Sequence, residues 1–155
     1  MFKRHSRVPA LLILALSVGV CVVYLRVWGK AAALDSIQDL EKRISAGKVD
    51  LDTWRQYGQR LCEARRFKDA AKAYRSALEI APADRIAREG MAMSLAQAAS
   101  PGHGDDALYE FLHHLIDNNQ ARMVQELFKK PEIDAYLSQE RFSRLLTDAT
   151  NQAID

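Results

Sequence analysis

Apolar residues fall into two regimes along the chain. The first is a continuous run, Val8 to Leu25, 18 residues without a charge. As a helix it would rise about 27 Å, close to the hydrocarbon thickness of a bilayer. The second regime begins near Leu34, where apolar residues recur every three or four positions, the period of amphipathic helices. Leu34, Ile37, Leu40 and Ile44 mark a short helix that Asp35 or Ser36 caps and Gly47 closes. Asp50 or Asp52 caps the next, with Trp54, Tyr57 and Leu61 on one face, running to about Arg65. A helix from Phe67 to Ile80 follows, burying Ala70, Ala73, Tyr74, Ala77 and Leu78 and stopped by Pro82. Asp84 caps another from Arg85 to about Ala99, and Ser100-Pro101-Gly102-His103-Gly104 breaks it. Beyond Gln120 the faces are Met123, Val124, Leu127 and Phe128, then Ile133, Tyr136 and Leu137, then Phe142, Leu145, Leu146 and Ala149. The expected class is all-α: an N-terminal transmembrane helix followed by a short helical solenoid.

The segment Leu51 to Asp84 carries more than periodicity. Trp54, Tyr57, Gly58 and Leu61 are followed by Ala70, Tyr74, Ala77 and Pro82. This resembles the tetratricopeptide repeat, W-x2-L-G-x2-Y, A-x3-F and P over about 34 residues, with the leucine and aromatic of the first helix exchanged. The resemblance implies a helix–turn–helix module that binds proteins or peptides. Gly58 is costly inside a helix, by roughly 1 kcal/mol against alanine, so close approach of the second helix at Ala70 is expected there. A degenerate second unit places Met91, Ala92 and Leu95 in the slots of Tyr57, Gly58 and Leu61. In it, Ala107, Phe111 and His114 take those of Ala70, Tyr74 and Ala77, and Asn119 that of Pro82. The resulting organisation is a cytoplasmic tail and membrane helix over 1–30, a linker and capping helix over 31–50, the repeat over 51–84, the degenerate repeat over 85–119, and capping helices over 120–155.

Charge sharpens the membrane reading. All 20 acidic residues lie at or after Asp35, while Lys3, Arg4, Arg7, Arg26 and Lys30 precede it, leaving 17 basic residues against 20 acidic in the remainder. The overall net charge of +2 therefore belongs to the N-terminus, and no basic stripe with interleaved aromatics points to nucleic acid. Lys3, Arg4 and Arg7 before the apolar run, with Tyr24 and Trp28 at its far end, fit a membrane anchor. A cleaved secretory signal has an apolar core of about 7–15 residues; this run is longer, and Arg26, Trp28 and Lys30 intervene before Ala31-Ala32-Ala33. A single-pass protein of a bacterial inner membrane is expected, with its repeat domain in the periplasm.

Candidate chemistry is sparse. Cys21 and Cys62 lie in different settings and form no C-x-x-C or metal-type spacing. His103, Asp105, Asp106, His113 and His114 cluster in sequence, but adjacent helical histidines point about 100° apart and do not chelate one ion together. No phosphate loop, catalytic triad, cofactor motif or metal motif is legible, so no enzyme is expected. The tetratricopeptide resemblance instead implies a groove lined by the first helix of each unit. Its positions here are Arg55, Gln59, Cys62 and Glu63, then Glu89, Met93, Ala96 and Gln97. Arg55 and Gln59 only partly replace the Lys and Asn of the carboxylate clamp of some members, and Glu89 has the wrong sign. The layout, with the run from Trp54 to Ser100, also resembles the repeat domain of bacterial cytochrome c biogenesis factors. That likeness implies an envelope assembly adaptor holding a client protein. The alternative is a structural accessory subunit packed permanently into a membrane complex.

Overall fold

The computed structural model describes residues 37–47 and 49–153. The apolar run Val8–Leu25 and the capping residues Asp35 and Ser36 lie outside the described residues. All regular structure in the described part is helical.

Helix α1 covers 37–45 and buries Ile37 and Leu40. Gly47 closes it at φ 75°, its N–H reaching the Ile44 carbonyl at 3.1 Å. Helix α2, Leu51–Glu63, starts at Asp50, whose carboxylate accepts from the Thr53 N–H at 2.7 Å. It ends before the expected Arg65, because Arg65 takes the left-handed conformation, φ 61°. The N–H groups of Arg65 and Arg66 then bond the carbonyls of Cys62 and Leu61, both at 2.8 Å. This is the Schellman arrangement, which satisfies carbonyls left free at a helix end.

Helix α3 spans Phe67–Ile80, as its apolar face predicts, and its buried residues are Ala70, Ala71, Ala73, Tyr74 and Ala77. Helix α4 spans Arg85–Ala98, and the Asp84 carboxylate accepts from the Ala87 N–H at 2.7 Å. The connection to the next helix is a tight loop in which Ser100 and His103 exchange backbone hydrogen bonds of 3.1 and 2.8 Å.

Helix α5, Asp106–Asp117, departs from the expected register. Leu108, Leu112, Leu115 and Ile116 are buried, whereas Ala107 and His114 are exposed and Phe111 is half-buried. The inner face is thus one residue further along than the repeat frame predicts. Asn119, φ 57°, ends the helix in a second Schellman arrangement, with Gln120 N–H on the Leu115 carbonyl at 2.9 Å. Helix α6 (Ala121–Phe128), the short α7 (Pro131–Asp134), a 3-10 turn (Ala135–Ser138) and α8 (Glu140–Gln152) complete the described chain.

Two apolar cores result. The first joins Ile37 of α1, Leu61 of α2, Ala70, Ala73, Tyr74 and Ala77 of α3, and Met91 of α4. The second joins Ala92 and Ala96 of α4 to Leu108 and Leu112, Val124 and Leu127, Ile133, Tyr136, Phe142 and Leu145. Leu95 and Phe111 pack against both. The C-terminal helices, expected as caps, therefore supply most of the second core.

The close approach at Gly58 has a different partner from the one expected. A Cβ on Gly58 would lie 2.9 Å from Cε2 of Tyr74, not against Ala70, and one on Gly90 would lie 2.6 Å from Cε1 of the same ring. Tyr74 fills the space between two glycines on neighbouring helices, α2 and α4. Burial pushes its hydroxyl up to about 12.

Candidate partner-binding face

The predicted groove residues lie on α2 and α4, which are linked directly in two places. At one end Arg55 of α2 holds Asp84, the cap of α4, through Nε to Oδ1 at 3.0 Å and a second bond from Nη2 to Oδ2. Its Nη1 also reaches Asp52 at 3.0 Å. The Arg55 bond, with the Ala87 N–H, keeps the Asp84 carboxyl below the usual carboxylate range. At the other end Cys62 Sγ lies 3.2 Å from Ser94 Oγ. The Ser94 hydroxyl donates to the Gly90 carbonyl at 2.6 Å, so the thiol is the donor in the Cys62 contact. Burial raises the thiol pKa against the opposing effect of the Ser94 contact, which suits Cys62 to packing rather than to nucleophilic chemistry.

The remaining positions divide by exposure. Gln59 is exposed and bonds Glu63 on its own helix at 3.2 Å; Glu63 also accepts from Arg60 at 2.8 Å. Gln97 is exposed, and Met93 is half-buried against the second core. Ala96 is buried, and its carbonyl accepts from the Tyr136 hydroxyl at 2.7 Å. Glu89 pairs with Lys130 at 2.6 Å, beside a second cross-helix pair, Arg85 with Glu126, also 2.6 Å. These pairs tie α4 to α6 and to the start of α7. Of the predicted set, Arg55, Cys62 and Glu89 are engaged between helices, while Gln59, Glu63 and Gln97 remain open to a partner.

Residues outside the predicted set complete the geometry. Gly90 admits the Tyr74 ring, and Ser94 receives Cys62; the repeat slots around Met91 and Ala92 gave no signal for either. Asp105 is 2% exposed. Its carboxylate takes the Gly102 N–H at 2.8 Å, Gln139 Nε2 at 2.6 Å and an Arg141 guanidinium that also lies over the Tyr109 ring. Burial pushes the Asp105 carboxyl up, but these donors prevail and its pKa is lowered. The cluster fastens α8 to the loop before α5. His113 bonds Asp117 at 2.9 Å, and Asn118 bonds the His114 carbonyl at 2.7 Å. Among the described residues no group of three metal-ligating side chains converges.

Residues 51–94 match the model of the tetratricopeptide repeat family. The match covers α2, α3 and most of α4, including Gly58, Tyr74 and Gly90. No curated protein and no solved structure matches the chain. No helix among the described residues is long and apolar enough to cross a membrane.

Proposed function

We propose that the protein is an adaptor that binds protein partners on the face built by α2 and α4, tethered to a membrane by Val8–Leu25. The observation that carries the reading is the repeat over residues 51–94, since such repeats stack into surfaces used for protein binding. Tethering raises the local concentration of the module near other membrane proteins, so weak contacts suffice to hold an assembly. Gln59, Glu63, Met93 and Gln97 form the contact set, and Arg55, Cys62 and Glu89 hold the helices that display them. The compartment in this reading is the bacterial periplasm, with the anchor in the inner membrane. The client class is an envelope protein under assembly, cytochrome c maturation being the specific instance that Trp54 to Ser100 resembles.

The test is affinity purification of the detergent-solubilised full-length protein with mass spectrometry of what it retains. Gln59→Arg with Gln97→Arg changes two exposed side chains and no core contact. Loss of the retained partner at an unchanged melting temperature supports the face; full retention moves the contact elsewhere. A second reading, a subunit packed permanently into a membrane complex, draws on the exposure of Ile80 and Ile86, at 51% and 60%. A stable assembly that survives purification and is dissolved by Ile86→Lys would favour it.

A further inference from the structure

Phe111 of α5 packs against the first core, beside the alanines of α3. A cleft of about 290 Å³ opens between α3 and α5. Its floor is apolar, from Leu78, Phe111 and Leu115, and its rim carries Arg75, Glu79 and Arg88. Arg75 is exposed; Arg88 is half-buried and donates to Gln120 Oε1 at 2.8 Å. Among the described residues neither guanidinium has an ion-pair partner. Other cations between helices differ: Arg55, Arg85 and Lys130 each meet a carboxylate. The volume is just below the range of ligand pockets, about 300–1,000 Å³, which suits one or two side chains better than a cofactor.

We propose that this cleft docks an acidic, apolar linear segment of a protein partner. A bulky aliphatic or aromatic side chain fills the floor, and flanking carboxylates pair with Arg75 and Arg88. Two guanidinium groups against the single Glu79 carboxylate give the rim a positive balance, and arginine is suited to bidentate carboxylate recognition. The cleft is lined mainly by α3 and α5, with Arg88 from α4, and by none of Gln59, Glu63, Met93 or Gln97, so the proposal does not rest on that face.

The experiment is fluorescence anisotropy with the detergent-solubilised full-length protein and a labelled peptide alternating aspartate and leucine. Saturable binding is expected, with at least about tenfold weaker binding when lysine replaces aspartate or alanine replaces leucine. Arg75→Glu, at an exposed position, should weaken binding by about tenfold or more, while Lys68→Glu, the same charge change elsewhere on α3, should stay within about twofold. Absence of saturable binding, equal binding of the lysine peptide, or an undiminished Arg75→Glu variant overturns the proposal. Binding altered in Gln59→Arg with Gln97→Arg but unchanged in Arg75→Glu also overturns it, by placing the segment on the Gln59–Gln97 face.

Discussion

Tyr74 is 6% exposed, and its ring occupies the place that side chains at positions 58 and 90 would need. An alanine in a helix interior is favoured over glycine by roughly 1 kcal/mol, yet overpacking costs about 1–3 kcal/mol. With a rigid ring on the other side, overpacking wins: Gly90→Ala should lower stability in a denaturant titration. Combined with Tyr74→Leu, the same change should cost less than it does alone, because the two share one space. A stabilising Gly90→Ala would show that the ring yields. Asp105 sets a second prediction at this scale. Its native pKa is lowered, so its contribution is complete above the unfolded carboxylate value of about 3.9 and is lost as pH falls through the native value. Melting temperatures should therefore drop on acidification below about pH 4, and Asp105→Asn should show a shallower drop from a lower starting point at pH 7. A parallel pH profile for the variant would assign the acid sensitivity to other carboxylates, such as Asp84, also lowered by its Arg55 bond.

Among the elements, the two Schellman ends differ in how well their residue suits them. Asn tolerates the left-handed region, as Asn119 does; Arg65 at φ 61° does not benefit in the same way. Arg65→Gly should therefore stabilise the protein by about 0.5–1 kcal/mol, the relief of backbone strain exceeding the added freedom of the unfolded chain. An unchanged or lowered melting temperature would mean that the Arg65 side chain contributes to the α2–α3 turn. The same elements show what a sequence makes legible. The N-caps Asp50 and Asp84, the stop at Pro82 and the limits of α3 follow from local chemistry and were predictable from it. The register of α5 was not, because the repeat frame was counted through a loop of irregular length. One residue of error there turns a helix face by about 100°, which exchanges Leu108, Leu112 and Leu115 for Ala107, Phe111 and His114. Apolar content alone favours the leucine set, so periodicity was the better guide than the motif at this point. For the candidate face, the frame located Gln59 and Gln97 on the surface. It did not reveal that Arg55 and Glu89 are held by Asp84 and Lys130, since those partners lie 29 and 41 residues away in sequence.

The whole molecule depends on its C-terminal helices more than a repeat with a cap would. Ala92 and Ala96 of α4 and Leu108 and Leu112 of α5 have their apolar partners on α6, α7 and α8, and the Tyr136 hydroxyl satisfies the buried Ala96 carbonyl from the same side. Ending the chain after Asn119 removes Val124, Leu127, Ile133, Phe142 and Leu145, each at most 2% exposed. At roughly 1.5–3 kcal/mol for each buried side chain, their contribution is about 7–15 kcal/mol before the entropy of ordering them is set against it. That is comparable to the entire net stability of an ordinary domain, about 5–15 kcal/mol. Truncation should also strip Lys130 and Glu126 from Glu89 and Arg85, freeing α4 on the side where the candidate face lies. The truncated chain should therefore lose its cooperative melt and bind a hydrophobic dye. Leu95 and Phe111 belong to both cores, so the damage should not stop at α5: hydrogen exchange on α3 and α4 should accelerate as well. A truncated chain that melts cooperatively with α3 still protected would instead make α2–α4 an independent module, and the second core a separable attachment to it.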